Sequence, residues 1–149
     1  MRTVADPRVL AGLTGRLERL TSNRARVWGT MNPHQMAVHL ADVAEAVLRR
    51  REFGAPMRPP NRVVKVVALY LPLPWPRGIP GGLDPASWVL APESFDADRL
   101  RAIGTLAEVA GAPAEGLASR HPIFGLMTRD DWHRWAYLHV DHHLRQFGL

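Results

Sequence analysis

The stretch that most constrains this chain is its last eighteen residues, Trp132 to Leu149, which read WHRWAYLHVDHHLRQFGL. His139, His142, His143 and Gln146 stand at offsets 0, +3, +4 and +7, so on a helix they stack on one face. Trp135 and Trp132 continue the stripe one and two turns earlier. A face that begins with two tryptophans points at a core, and Trp132 and Trp135 are read as core residues rather than substrate-stacking surfaces. Each unpaired polar group buried there costs roughly 1–3 kcal/mol. The imidazoles therefore need a partner, and a divalent metal ion is the sharpest candidate. His139 with His143 (i, i+4) makes a good chelating pair; His139 with His142 (i, i+3) is the alternative.

Composition narrows the donor set. The chain has no cysteine, which excludes disulfides, thiolate metal sites and cysteine nucleophiles, so a metal must use His, Asp, Glu or water. At 149 residues, 46% apolar and 22% charged, it reads as one soluble globular domain with a real core. The longest apolar stretch, VVALYLPLPWP, is broken by prolines and too short to span a bilayer. The N-terminal MRTVADPRVLAGL lacks the apolar run of a secretory signal, so a cytoplasmic address is expected. The net charge of +5 suits an anionic substrate or nucleic acid. Its arginines are scattered, however, with one short run at Arg49–Arg51 that reads as a solvated helix end complementing the dipole. No recognition-helix motif or basic-aromatic stripe supports nucleic-acid binding.

Taken in order, Asp6-Pro7 is a helix start, an acceptor cap followed by proline at the first helical position. Val9, Leu10, Leu13, Leu17 and Leu20 predict a helix from about residue 6 to 21. Asn32-Pro33-His34-Gln35 repeats the signal, with Gln35 placed to close a capping box. Met36, Leu40, Val43 and Val47 form the buried stripe of a second helix, predicted to run to about Arg51. His39 sits on its inward side, with Gln35 and Asp42 one turn away on either side. His34 is about 140° round from His39 and faces elsewhere. From Phe53 to Ser94 prolines cluster, including Pro56, Pro80 and Pro85. NRVVKVVALYL (Asn61 to Leu71) fits a strand by its β-branched content and a short helix by its Asn cap; a short helix is preferred. So long a connection is usually functional or covers a site, and Trp75 and Trp88 give it mass to pack over the bundle. A third long helix starts at Ser94 or Asp96, with Leu100, Ile103, Leu106, Ala107 and Ala110 as its stripe and Gly111-Ala112-Pro113 as its stop. A loop containing HPIFG (His121 to Gly125) follows, and Thr128-Arg129-Asp130-Asp131 caps the last helix. His121 is read as docking that loop, with the pocket mouth as its alternative. Trp28 and Trp75 are open between packing and pocket.

Four long amphipathic helices, no convincing sheet and a Pro-rich crossover between helices two and three describe an all-α four-helix bundle in a single domain, residues 1–149. Metal sites in such bundles are built from side chains projecting inward from facing helices. No Ser-His-Asp set is visible, and Gly78, Gly81 and Gly82 lack the lysine of a phosphate loop.

The layout resembles the DinB/YfiT-like superfamily of four-helix metalloproteins, within it a bacterial subfamily of unknown function. WGTMNPHQMAVHL (Trp28 to Leu40), PWPRG (Pro74 to Gly78), HPIFG and DDWHRWAYLHVDHHLRQFG (Asp130 to Gly148) carry the resemblance over nearly all of the chain. It implies a metal-binding histidine from the second helix and an HxxxH pair from the last: His39, His139 and His143, with Gln146 as the trailing glutamine. The resemblance thus favours His143 over His142, which becomes a pocket or supporting residue. Asp42, Gln35, Asp141 and Gln146 are candidates to hold the other nitrogens of these rings. Some relatives are thiol transferases joining a low-molecular-weight thiol to an electrophile, and dimerisation also follows by resemblance.

Two functions are expected from these observations. One is a metal-dependent transferase or hydrolase on a small electrophile, in which three imidazoles leave a coordination position open. The other is a binding or stress-response module in which a closed metal shell pins helix two to helix four. All-imidazole ligation suits zinc or nickel.

Overall fold

The computed structural model describes residues 1–53, 59–77 and 88–149. Of the sequence features above, Pro56, Gly78, Pro80, Gly81, Gly82 and Pro85 lie outside the described residues. The helices in chain order are α1 (Pro7–Glu18), α2 (Pro33–Val47), α3 (Arg62–Tyr70), α4 (Phe95–Gly111) and α5 (Arg129–Arg145). α2 packs along α4; α1 lies against α4 and α5; α5 also meets α2 and α4, and the short α3 rests on α5. The four long helices form the bundle and α3 belongs to the crossover. No helix among the described residues is long and apolar enough to cross a membrane.

The caps act where the sequence puts them. Asp6 accepts from Arg8 N at 2.8 Å. Asn32 and Gln35 exchange both bonds of a capping box, as do Thr128 and Asp131. Asn61 accepts from Val63 N and Val64 N, which supports the helical reading of that segment. Each satisfies amides that the first turn leaves without partners.

Two helix ends fall short of expectation. α1 stops at Glu18, although Leu20 is still buried. α2 stops at Val47 rather than near Arg51. There Arg49 takes the left-handed conformation (φ 62°), Arg49 N donates to Ala46 O and Arg50 N to Glu45 O. This is a Schellman closure with arginine where glycine is usual, so no residue type announced it. The arginine run lies exposed just past this helix end, as read, and adds surface pairs: Arg51 folds back onto Asp42 and Glu45, and Arg50 pairs with Glu108.

The buried face of α4 is also rotated from the predicted one. Phe95, Ala102, Thr105, Leu106 and Val109 are buried, whereas Leu100 is 61% exposed and Ala107 also faces out. Thr105 is tolerated inside because its hydroxyl donates to Arg101 O at 2.8 Å; a polar letter on the inner face misled the periodicity.

The HPIFG segment forms a small antiparallel pairing, β1 (Arg120–His121) with β2 (Gly125–Leu126), where no sheet was expected. The chain turns through residues 122–124 and enters β2 at Gly125 (φ 73°), where an added Cβ would stand 3.3 Å from Pro60. Ile123 O accepts from Asn61 N, so the turn also meets the start of α3, a contact the sequence did not announce. Within the described part of the crossover, Trp75 is half-buried against the core and its indole donates to Ala68 O at 2.8 Å. Trp132 and Trp135 are core residues, and Phe53 stacks on Trp132.

Candidate metal centre

α5 places His139 and His143 one turn apart, and α2 brings His39 across to meet them. His39 Nε2 lies 3.3 Å from His139 Nε2, and His143 Nε2 lies 3.2 Å from the same atom. The three ligand nitrogens fall within 4.8 Å of one another. Two nitrogens held at about 2.0–2.1 Å from one tetrahedral zinc ion would stand about 3.3 Å apart. The donor set therefore fits a divalent cation. Without one, three Nε2 atoms face each other and His139 Nε2 can share a proton with only one neighbour at a time.

Electrostatics keeps these rings neutral. Burial pushes His39 down to about 4, only partly offset by the charge of Asp42. Burial, then the neighbouring imidazoles, hold His139 well below its ordinary value. His143 is likewise lowered, chiefly by burial, against a smaller opposing contribution from Gln146. Neutral imidazoles are the form in which histidine binds metals.

The ring orientations have visible causes. His143 Nδ1 lies 2.9 Å from Gln146 Oε1; donation to that oxygen puts the proton on Nδ1 and leaves the Nε2 lone pair facing the cluster. Gln146 is in turn held by the loop before α2. Its carbonyl accepts from Val27 N at 2.6 Å, and Gly29 (φ 91°) lies so close that a Cβ would stand 3.1 Å from its amide nitrogen. Gly29 escaped the sequence reading, although it stands in the WGT segment; only its contact reveals its role. His139 lies flat on Trp135, ring centroids 4.4 Å apart.

The other candidates for holding ring nitrogens serve elsewhere. Asp42 is 2.8 Å from both Arg51 and Arg101. Asp141 is bridged by Arg16 and Arg145. Gln35 accepts from Asn32 N and donates to Trp88 O. Arg101 and Arg16, from distant positions, claim the two carboxylates, which helical spacing could not foresee, while Arg145 joins Asp141 from the next turn of α5. His142 stands beside the cluster, not in it: it packs edge-on against Trp28 at 5.0 Å and beside Trp75. Both tryptophans thereby border the site.

His121 is a turn residue at the edge of the core. Its Nδ1 accepts from Ile123 N at 3.1 Å, its ring stacks on Phe124, and burial pushes it down to about 4. His34 faces away as expected, bonded to Asp98 Oδ2 at 2.8 Å. His133 was not singled out in the sequence. It is fully buried and its Nε2 has no hydrogen-bond partner among the described residues.

A helical bundle with inward imidazoles from facing helices defines a class of protein able to hold a metal ion in its core. The sequence matches the family profile of the DinB superfamily over residues 4–147, and the chain belongs to that superfamily. No curated protein and no solved structure matches it.

Proposed function

We propose that His39, His139 and His143 bind one divalent metal ion, zinc or nickel, and that the protein is a metal-dependent enzyme acting on a small electrophilic substrate. The observation that carries this reading is the convergence of three neutral imidazole nitrogens from two helices, with no carboxylate among them. A divalent ion held there would act as a Lewis acid that lowers the pKa of a thiol or water brought to it. The protein's own contribution is positional. Gln146 sets the donor nitrogen of His143, Trp135 fixes the plane of His139, and Trp28, Trp75 and His142 border the approach.

A transferase joining a low-molecular-weight thiol to the electrophile, or a hydrolase, would use such a site. The second reading is a structural ion that pins α2 to α5. The position of His142, packed on Trp28 rather than turned into the cluster, favours an open fourth position over a closed shell. Elemental analysis of untagged protein tests the ion: near-stoichiometric metal in the wild type and its loss in His39→Ala support the site. Absence of metal and of uptake from supplied zinc or nickel would reduce the cluster to packing. A screen of thiols with electrophiles then separates enzyme from module.

A further inference from the structure

Beside the cluster runs a groove of about 910 Å³ between the N-terminus, the loop at Trp28, the segment from Tyr70 to Arg77, and the outer face of α5. Its size is that of a small-molecule site. Among the described residues, Arg2, Arg77, Arg134 and Arg145 line it, against a single carboxylate, Asp141. That carboxylate is already engaged, 2.7 Å from Arg16 and 2.9 Å from Arg145. Among the described residues, Arg2, Arg77 and Arg134 have no carboxylate partner. They are held instead by aromatic rings and backbone carbonyls. Arg77 lies over Trp28, Arg134 lies over Tyr137 and donates to Leu69 O and Arg2 O, and Arg2 reaches the Tyr137 hydroxyl. Guanidiniums braced this way keep donors in a fork that matches a carboxylate or phosphate.

The groove and the cluster share a wall. His142 and Trp75 line the groove, while the His142 ring is 5.3 Å from His143 and the Trp75 ring 6.5 Å from His139. A ligand seated on the arginines would have His142 and Trp75 between its other end and the three imidazoles. Trp28, Trp75 and Tyr137 provide apolar walls for its body.

We infer that this groove binds a small organic anion with an apolar or aromatic body, its charged group held by Arg2, Arg77 and Arg134 and its far end directed at the histidine cluster. This names the substrate class of the proposed metal site and rests on that reading only for what happens at the far end. Charge selectivity belongs to the groove alone.

The test is calorimetric titration with 1-naphthaleneacetate and with its uncharged amide, on chelator-treated and on metal-supplemented protein. The acid should bind at least about tenfold tighter than the amide, equivalent to about 1.4 kcal/mol. It should also shift the His142 ring resonances. The double variant Arg2→Gln, Arg77→Gln should abolish the preference, and Arg8→Gln, on the exposed first turn of α1, should keep it. Equal binding of acid and amide, no saturable binding of either, or a preference that survives the double variant would overturn the inference. Selective binding in protein that takes up no metal would uphold the groove and fail the metal reading. Metal uptake without acid selectivity would do the reverse.

Discussion

α2 carries two histidines on different faces, His34 and His39, and their partners differ. His34 meets Asp98 of α4 at 2.8 Å, and Ser94 stands beside both. Burial works against the Asp98 carboxylate, but hydrogen bonds from His34 and Ser94 and the charge of Arg101 outweigh it and hold its pKa below the ordinary value. That histidine is complete within the protein. His39, just over a turn further on, has two other imidazoles as its ring partners among the described residues. A carboxylate makes a histidine part of the scaffold, whereas a set of neutral rings facing one another leaves room for a cation.

The sharpest way to break this comparison is to remove one ring from each neighbourhood. His139→Ala or His143→Ala should lower bound metal from near one per chain to background, while His34→Ala keeps it. Equal retention in all three, measured by elemental analysis, would sink the assignment.

Acid provides the next largest effect. In metal-free protein, His39 and His121 are both depressed to about 4 against an ordinary value of 6.5. Between those values the unfolded chain binds more protons than the folded one, so stability present above pH 6.5 is lost as pH falls toward about 4. Each unit of depression corresponds to about 1.4 kcal/mol. Urea midpoints should decline steadily across that window, and a flat profile would contradict neutral burial.

Gln146→Leu keeps bulk but removes the acceptor from His143 Nδ1, and should weaken metal affinity by about 10–100-fold without abolishing it. Gly29→Ala should act in the same direction through its crowding of Gln146. Competition with a chromophoric chelator measures both, and unchanged affinity in Gln146→Leu would deny that glutamine a positioning role. At the other histidine, Asp98→Asn should cost about 1–3 kcal/mol of stability, as for a hydrogen bond that loses its charge. Metal content should not change. Metal loss in Asp98→Asn would merge two neighbourhoods that the geometry separates.

The choice of His143 over His142 rested on the family resemblance; the four long helices, the side-chain caps of three of them and the short helix in the crossover were legible in the chain itself. They depend on neighbours three or four positions apart, and helix geometry makes those relations local. The misjudged parts had a different origin. The left-handed arginine that ends α2 carries no residue signal. The rotated face of α4 hides behind a threonine satisfied by its own helix.

What the sequence by itself determined is an all-α chain of the DinB superfamily with imidazoles stacked on its last helix. Only the tertiary structure decided that Asp42 answers to Arg101 and Asp141 to Arg16, that Gly29 closes behind Gln146, and that guanidiniums with no carboxylate partner among the described residues line a groove beside the cluster. The reason is reach. A long side chain pairs with whatever the fold brings near, as Arg16 does with Asp141 across 125 positions, and no local period encodes that meeting.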